Sequence, residues 1–503
     1  MIELTIEVIA EHLNMPVLGD LSGYRADEEF VGRVPIQFAR EHRLIGLWDD
    51  ADETMRIAFC DASGLDHVDV LGRHLGASPP LLPATAAAID RAVNAAYTDR
   101  ASQAQSVVDS LSTEDLLRDA AATAGDDNDL LDSEGRAPII RLVNHLLLDA
   151  VKVGASDVHI QPYEDRVVVR QRIDGVLFDC FEIPKAVQEE VLTRLKVLGK
   201  MNIAEKRLPQ DGRATVSLGD RVVDLRIASL PTSHNERIVV RLLDKSARLY
   251  SLTELGMPPE DLSRFAELVD RDHGMVLVTG PTGSGKSTTL YGVLQQMNSH
   301  DVNVLTLEDP IEYALDGISQ TQINEKKGMT FASGMRSVLR QDPDVIMVGE
   351  IRDGETAVMA IQASLTGHLV LSTLHTNDAA SAVTRLLDLG IEPYLVSSSL
   401  VGVLAQRLVR RLCDHCKAPD GETTFAAVGC QRCRGTGFRG RVGLFELLRV
   451  DDRIRDLVVA RAAAAEIRAA AIDGGTKLLA TDGVEKVRQG VTTMDEVLRV
   501  TTL

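Results

Sequence analysis

At 503 residues the chain is longer than one hydrophobic core usually serves, so about three domains are expected, and its 45% apolar content is that of an ordinary globular protein. A formal net charge of −20 and a pI near 5.1 argue against a protein that coats nucleic acid, because affinity for phosphate backbones comes mainly from Lys and Arg.

No run of about 18 uninterrupted apolar residues occurs; the most apolar stretch, Leu389 to Leu408, carries Glu392, Pro393 and Arg407. The first residues, Met1 to Glu7, lack the basic and apolar regions of a secretory signal, so a cytoplasmic location is expected. There the six cysteines would stay reduced.

Residues 1–98 read as a small α+β unit, with amphipathic Ile6 to Leu13 and strand-like Arg56 to Cys60. An acidic linker follows at 99–136: between 101 and 135, nine Asp or Glu face the single Arg118. A mixed α/β unit spans 137–250, with a helical pattern from Ile139 to Ala155 and alternating strand-like runs at Val167 to Arg172 and Arg237 to Leu242. From 251 to about 410, apolar β runs alternate with helical stretches, which predicts a mainly parallel sheet covered by helices on both faces. A cysteine insert fills 411–441, and a helical tail at 446–503 has Thr493 to Glu496 as a capping box. Cys60 and Cys180 read as buried apolar residues of β runs.

The phosphate chemistry concentrates in the third unit. Gly280-Pro281-Thr282-Gly283-Ser284-Gly285-Lys286-Ser287 fits GxxxxGK[ST], between strand-like Met275 to Thr279 and helix-like Thr288 to Met297. Its glycines let successive N–H groups turn towards phosphate oxygens at a helix amino terminus. Lys286 would bridge the β- and γ-phosphates of ATP, Ser287 would hold Mg²⁺, and Thr288 is counted with the nucleotide-binding residues. Two further β runs end in Glu308-Asp309-Pro310 and Gly349-Glu350-Ile351-Arg352-Asp353, where ligands sit in parallel sheets. Hydrolysis needs one group to polarise water and another to anchor the metal indirectly. Glu308 suits the first role and Glu350 the second, and the sequence alone leaves the two interchangeable. His368 and His375 flank the next β run and are expected beside the site.

Cys413-Asp414-His415-Cys416 and Cys430-Gln431-Arg432-Cys433 are two CxxC pairs separated by thirteen residues, a spacing that can close a structural Zn²⁺ site of four thiolates. A redox pair or disulfide is the competing account, and His415 could replace one ligand.

In this order the P-loop, Glu308-Asp309-Pro310-Ile311-Glu312, Gly349 to Asp353 and the histidine box resemble the hexameric motor ATPases of bacterial type II secretion and type IV pilus assembly. The likeness extends upstream through Ala155 to Ile160, Arg172-Ile173-Asp174-Gly175, Gln210-Asp211-Gly212-Arg213 and Asp224-Leu225-Arg226, and downstream through Arg434 to Glu446, although many members space their cysteine pairs more widely. It implies a RecA-like P-loop core and a PAS-like middle domain whose Arg213 and Arg226 reach the nucleotide. Arg336, Arg340 and Arg352 would assist beside the core site. Through Val34-Pro35-Ile36, Leu44 to Leu47 and Ala58 to Asp61, the first unit resembles the domain that docks the cytoplasmic part of an inner-membrane assembly protein. The resemblance also implies a homohexamer, a polytopic platform protein as second partner and only indirect membrane contact. Assembly of a secretion pseudopilus is the expected task, with pilus extension as its nearest rival. A nucleic-acid motor and a nucleotide-binding scaffold without turnover are the rivals from other classes.

Overall fold

The computed structural model describes residues 6–12, 15–34, 36–50, 52, 54–61, 67–68, 71, 75, 79–101, 138–218, 221–244, 250–297, 301–421 and 424–501. The expected acidic linker lies, from residue 102 onward, outside the described residues. The chain divides into two compact units, Met1–Ser246 and Ala247–Leu503.

In the first unit, β1 (Arg25–Ala26), β2 (Ile45–Asp49), β3 (Thr54–Phe59) and β4 (Leu81–Pro83) form one sheet in that order. Ile57, Ala58 and Phe59 of β3 are fully buried, and the helix Ala86–Ala101 adds Ile89 and Val93 to the same core. A second sheet contains β5 (Asp157–Pro162), β6 (Arg166–Ile173), β7 (Val176–Pro184), β8 (Gln210–Leu218), β9 (Arg221–Thr232) and β10 (Asn235–Asp244), in the order β7-β6-β5-β10-β9-β8. All its neighbours run antiparallel. The helix Pro138–Lys152 supplies a buried stripe of Leu142, Val143, Leu146, Leu147 and Ala150, the spacing of one helical face.

Strand β9 shows why this sheet has a wet face. Val223, Leu225 and Ile227 are buried, so the alternate residues Asp224 and Arg226 point the other way. Arg213 lies directly opposite Arg226 in the β8–β9 register. The loop leading into β8 is anchored from below, since the buried Lys196 ammonium lies 2.6 Å from Glu236 and donates to the Glu205 carbonyl at 2.7 Å. Cys60 is buried as expected, whereas Cys180 is only half-buried. It sits on β7, the edge of the sheet, where most side chains keep some exposure.

The second unit is built on a sheet ordered β13-β12-β14-β15-β11-β16-β19. Its strands are β11 (Gly274–Thr279), β12 (Val304–Glu308), β13 (Ser319–Gln322), β14 (Val345–Val348), β15 (Leu369–Leu374), β16 (Leu400–Leu412) and β19 (Phe438–Arg449), with a small hairpin of β17 (Lys417–Pro419) and β18 (Phe425–Ala427) apart from it. Neighbours are parallel except β16 and β19. Met275 and Leu277 of β11 enter one core while Val276 and Val278 enter the other, which explains the unbroken apolar runs of a sheet buried on both faces.

Two expectations change here. The tail is helical only after β19 ends at Arg449, because that strand completes the sheet beside β16. Glu496 leaves its expected capping role to accept from the Arg410 backbone N–H at 3.0 Å and from the Arg410 and Arg499 guanidiniums. Burial pushes its carboxyl up, but these donors outweigh burial and hold it at about 2. Among the described residues no helix is long and apolar enough to cross a membrane.

Candidate functional site

Because the central strands run parallel, the residues after β11, β12, β14 and β15 meet at one edge of the sheet. They enclose a cleft of about 350 Å³. Thr282, Gly283, Gly285, Lys286, Ser287 and Thr288 line one side; Glu308, Asp309, Glu350 and His375 line another. The P-loop is seated on β16. A Cβ at Gly280 would come within 2.5 Å of the Gln406 carbonyl, and Gly285, at φ +88°, begins the helix Lys286–Gln296 in a left-handed conformation. Ser284 is buried against Gly280.

Lys286 is buried, and its ammonium donates to the carbonyls of Gly280 at 2.8 Å and Pro281 at 3.1 Å. Burial brings its pKa down to about 8, against the opposing pull of Glu350. A polyanion in the cleft would meet a cation withheld from water, which strengthens the attraction.

The two glutamates are held differently. Glu308 is buried and accepts from the Tyr291 and Thr306 hydroxyls and from Gln320 Nε2 at 3.0 Å. Glu350 is more open, with Arg352 Nε at 2.7 Å from one oxygen and His375 Nε2 at 3.2 Å from the other. Arg352 also reaches Asp309 at 3.6 Å, so it bridges carboxylates contributed by two strand ends.

Not every expected residue joins this cleft. His368 stands before β15 and His375 after it, and a strand of that length separates its ends by roughly 20 Å. His368 Nδ1 instead lies 2.9 Å from the Ala363 carbonyl. Arg336 is exposed and paired with Glu355, while Arg340 turns back to the Arg336 carbonyl, so neither lines the cleft. Arg213 and Arg226 belong to the first unit, side by side on its exposed sheet face. Conversely, Tyr291, Glu312, Leu408 and Arg441 line the cleft without having been assigned a role from sequence. Tyr291 alone carried a local signal, since it follows Ser287 by four residues on the same helix face.

The cysteine insert closes a second, smaller site. The sulfurs of Cys413, Cys416, Cys430 and Cys433 all lie within 4.8 Å of one another. The separations of 3.9 Å for Cys413–Cys430 and 3.7 Å for Cys416–Cys433 match the ~3.8 Å edge of a tetrahedron with metal–sulfur bonds of ~2.3 Å. They are far beyond the ~2.05 Å of a disulfide, and all four cysteines are free. Backbone N–H groups of Cys430 and Gly437 donate to Cys433 Sγ at 3.1 and 3.2 Å, as donors beside a thiolate do. His415 is directed to Arg432 rather than into the cluster, so the four thiols are compatible with zinc without it.

Residues 132–499 match the family described as type II/IV secretion system protein, and residues 13–103 match the MshEN domain. The chain is 45% identical over 493 residues to the type II secretion system ATPase E of Vibrio cholerae serotype O1, covering 95% of this chain and 98% of that one. It is 39% identical over 521 residues to the type IV pilus assembly ATPase PilB of Myxococcus xanthus, covering 98% of this chain and 90% of that one. Among solved structures, the pilus retraction motor PilT with bound ADP is similar at 27% identity with a TM-score of 0.51, over 71% of this chain and 95% of that one.

Proposed function

This chain belongs to the type II/IV secretion system protein family, and from that premise we propose that it is the ATP-hydrolysing motor of a type II secretion system. The observation that carries this reading is the meeting of Lys286, Ser287, Glu308 and Glu350 in one open cleft. The near-full-length likeness to a secretion ATPase supports secretion over pilus extension, since the pilus ATPase is the more distant relative of the two.

In this reading Lys286 meets the β- and γ-phosphates, Ser287 would hold Mg²⁺, and Glu350 would anchor that metal indirectly. Bound Mg²⁺ supplies charge neutralisation at the phosphates. Glu308 orients the attacking water, while Arg352 and His375 fix Glu350. The four thiolates would hold one structural Zn²⁺. Arg213 and Arg226 face each other on adjacent strands, which sets two guanidiniums side by side on one sheet face, a chemistry suited to an anionic phosphate. We assign to them the stabilisation of phosphoryl charge within a homohexameric ring, docked through residues 1–98 to the cytoplasmic part of an inner-membrane assembly protein and working against a polytopic platform protein.

The test is complementation of cells deleted for this chain. Restored export of folded proteins, lost again with Arg213→Ala, is expected; restored surface pili without export would overturn the secretion assignment. Stimulation of hydrolysis by DNA would favour the nucleic-acid motor instead.

A further inference from the structure

Tyr291 has the largest fully buried side chain among the described residues, yet its hydroxyl is not idle. It lies on the P-loop helix, four residues beyond Ser287, and lines the cleft. The hydroxyl donates to Glu308 Oε2 and accepts from the backbone N–H of Glu312 at 3.2 Å. The other Glu308 oxygen accepts from Thr306 and from Gln320 Nε2 at 3.0 Å. Gln320 in turn donates to the Tyr313 carbonyl at 3.0 Å and accepts from the Leu315 N–H at 2.8 Å. The Tyr291 ring packs edge-on against Tyr313, with centroids 5.7 Å apart.

One carboxylate is thus fixed from the P-loop helix, from β12 and from β13, and the turn after it is fixed by two of the same side chains. A carboxylate offers about four acceptor sites. Three are filled by protein donors, which leaves room for one more partner, and Glu308 lines the cleft. Burial and the Glu308 charge push the Tyr291 phenol well above its ordinary range, so it remains a donor throughout working pH.

We propose that Tyr291 is a positioning residue for hydrolysis: it ties the P-loop helix to Glu308 and the 309–313 turn, so that Glu308 presents its remaining acceptor site to the attacking water. The proposal rests on the reading that Glu308 acts on that water. In this role Tyr291 acts through the Glu308 carboxylate that its hydroxyl holds. A fixed orientation of this kind contributes to turnover and not to nucleotide affinity, because the phosphates are held by the P-loop.

The experiment compares Tyr291→Phe, Glu308→Gln and the double variant in the full chain, with phosphate release, KM for ATP and thermal unfolding measured together. Tyr291→Phe keeps the ring and should lower kcat roughly ten- to hundredfold with KM unchanged. The double variant should be no slower than Glu308→Gln, because the lost contact acts only through that carboxylate. Gln320→Met, which removes the donor to the other oxygen, should show the same kcat-selective loss and stands in should Tyr291→Phe fail to fold. Normal kcat in Tyr291→Phe beside an inactive Glu308→Gln, or losses that multiply in the double variant, would overturn the proposal alone. Full activity in Glu308→Gln would instead overturn the reading of Glu308 beneath it.

Discussion

The nucleotide cleft and the four-cysteine cluster share one pair of strands, β16 and β19, and are built on opposite terms. Leu408 of β16 and Arg441 of β19 line the cleft, while the same β16 runs through Leu412 directly into Cys413. The cleft gathers polar groups from four strand ends that are far apart in sequence and leaves about 350 Å³ open between them. The cluster gathers four sulfurs from two short segments within 4.8 Å and leaves no position for a substrate. A site that performs chemistry needs groups held in place around a vacancy. A site that holds a fold together needs closure, and local sequence is enough to provide it.

That contrast can be broken most sharply at the cluster. Purified under reducing conditions, the chain should carry about one zinc, and the Cys413→Ser, Cys416→Ser double variant should carry none. Metal analysis with proteolysis of the insert checks both; metal-free protein whose insert remains protected would contradict a structural zinc. On the cleft side, Glu350→Gln should slow turnover about hundredfold while ATP still binds, since the loss falls on metal and water placement. Binding calorimetry beside single-turnover hydrolysis separates the two effects, and lost binding with unchanged turnover would invalidate the role given to Glu350.

The smallest expected effect is a pH dependence. Burial holds Lys286 at about 8 in the free chain, below the 10.5 of an ordinary lysine. Phosphates favour its charged form, so binding raises this pKa and takes up a proton above pH 8. Affinity for ATP should therefore be flat below pH 8 and fall by up to about tenfold per pH unit above it. Calorimetry in buffers of different ionisation heat should show the uptake at pH 9 and not at pH 7. Equal affinity at both, without proton uptake, would mean either that burial does not lower Lys286 in the free chain or that Lys286 does not meet the phosphates. Stability changes in the opposite direction: between about 8 and 10.5 the unfolded chain binds the extra proton, so the cost of burying this lysine is relieved as pH rises.

What the sequence made legible follows the same division. The P-loop and the CxxC pairs are local patterns, and both fold as their spacing predicts. The strands leading to Glu308 and Glu350 were readable because a sheet buried on both faces writes unbroken apolar runs. Arg441 was not readable as a cleft residue, because only the antiparallel pairing of β19 with β16 brings it beside the P-loop. His368 and His375 looked equivalent in a short motif, yet the extended strand between them carries one away from the site that the other lines. Arg336 and Arg340 were placed by resemblance, and within this chain their guanidiniums turn outward to Glu355 and back to their own helix.

ATP hydrolysis in this cleft should depend on the cation at the P-loop. Steady-state phosphate release by the full chain and by Lys286→Ala, with thermal unfolding followed in parallel, tests it most directly. Lys286→Ala should lose turnover at least roughly hundredfold at unchanged unfolding temperature, because the charge that meets the developing phosphoryl oxygens is gone. Near-normal turnover by that variant would contradict it.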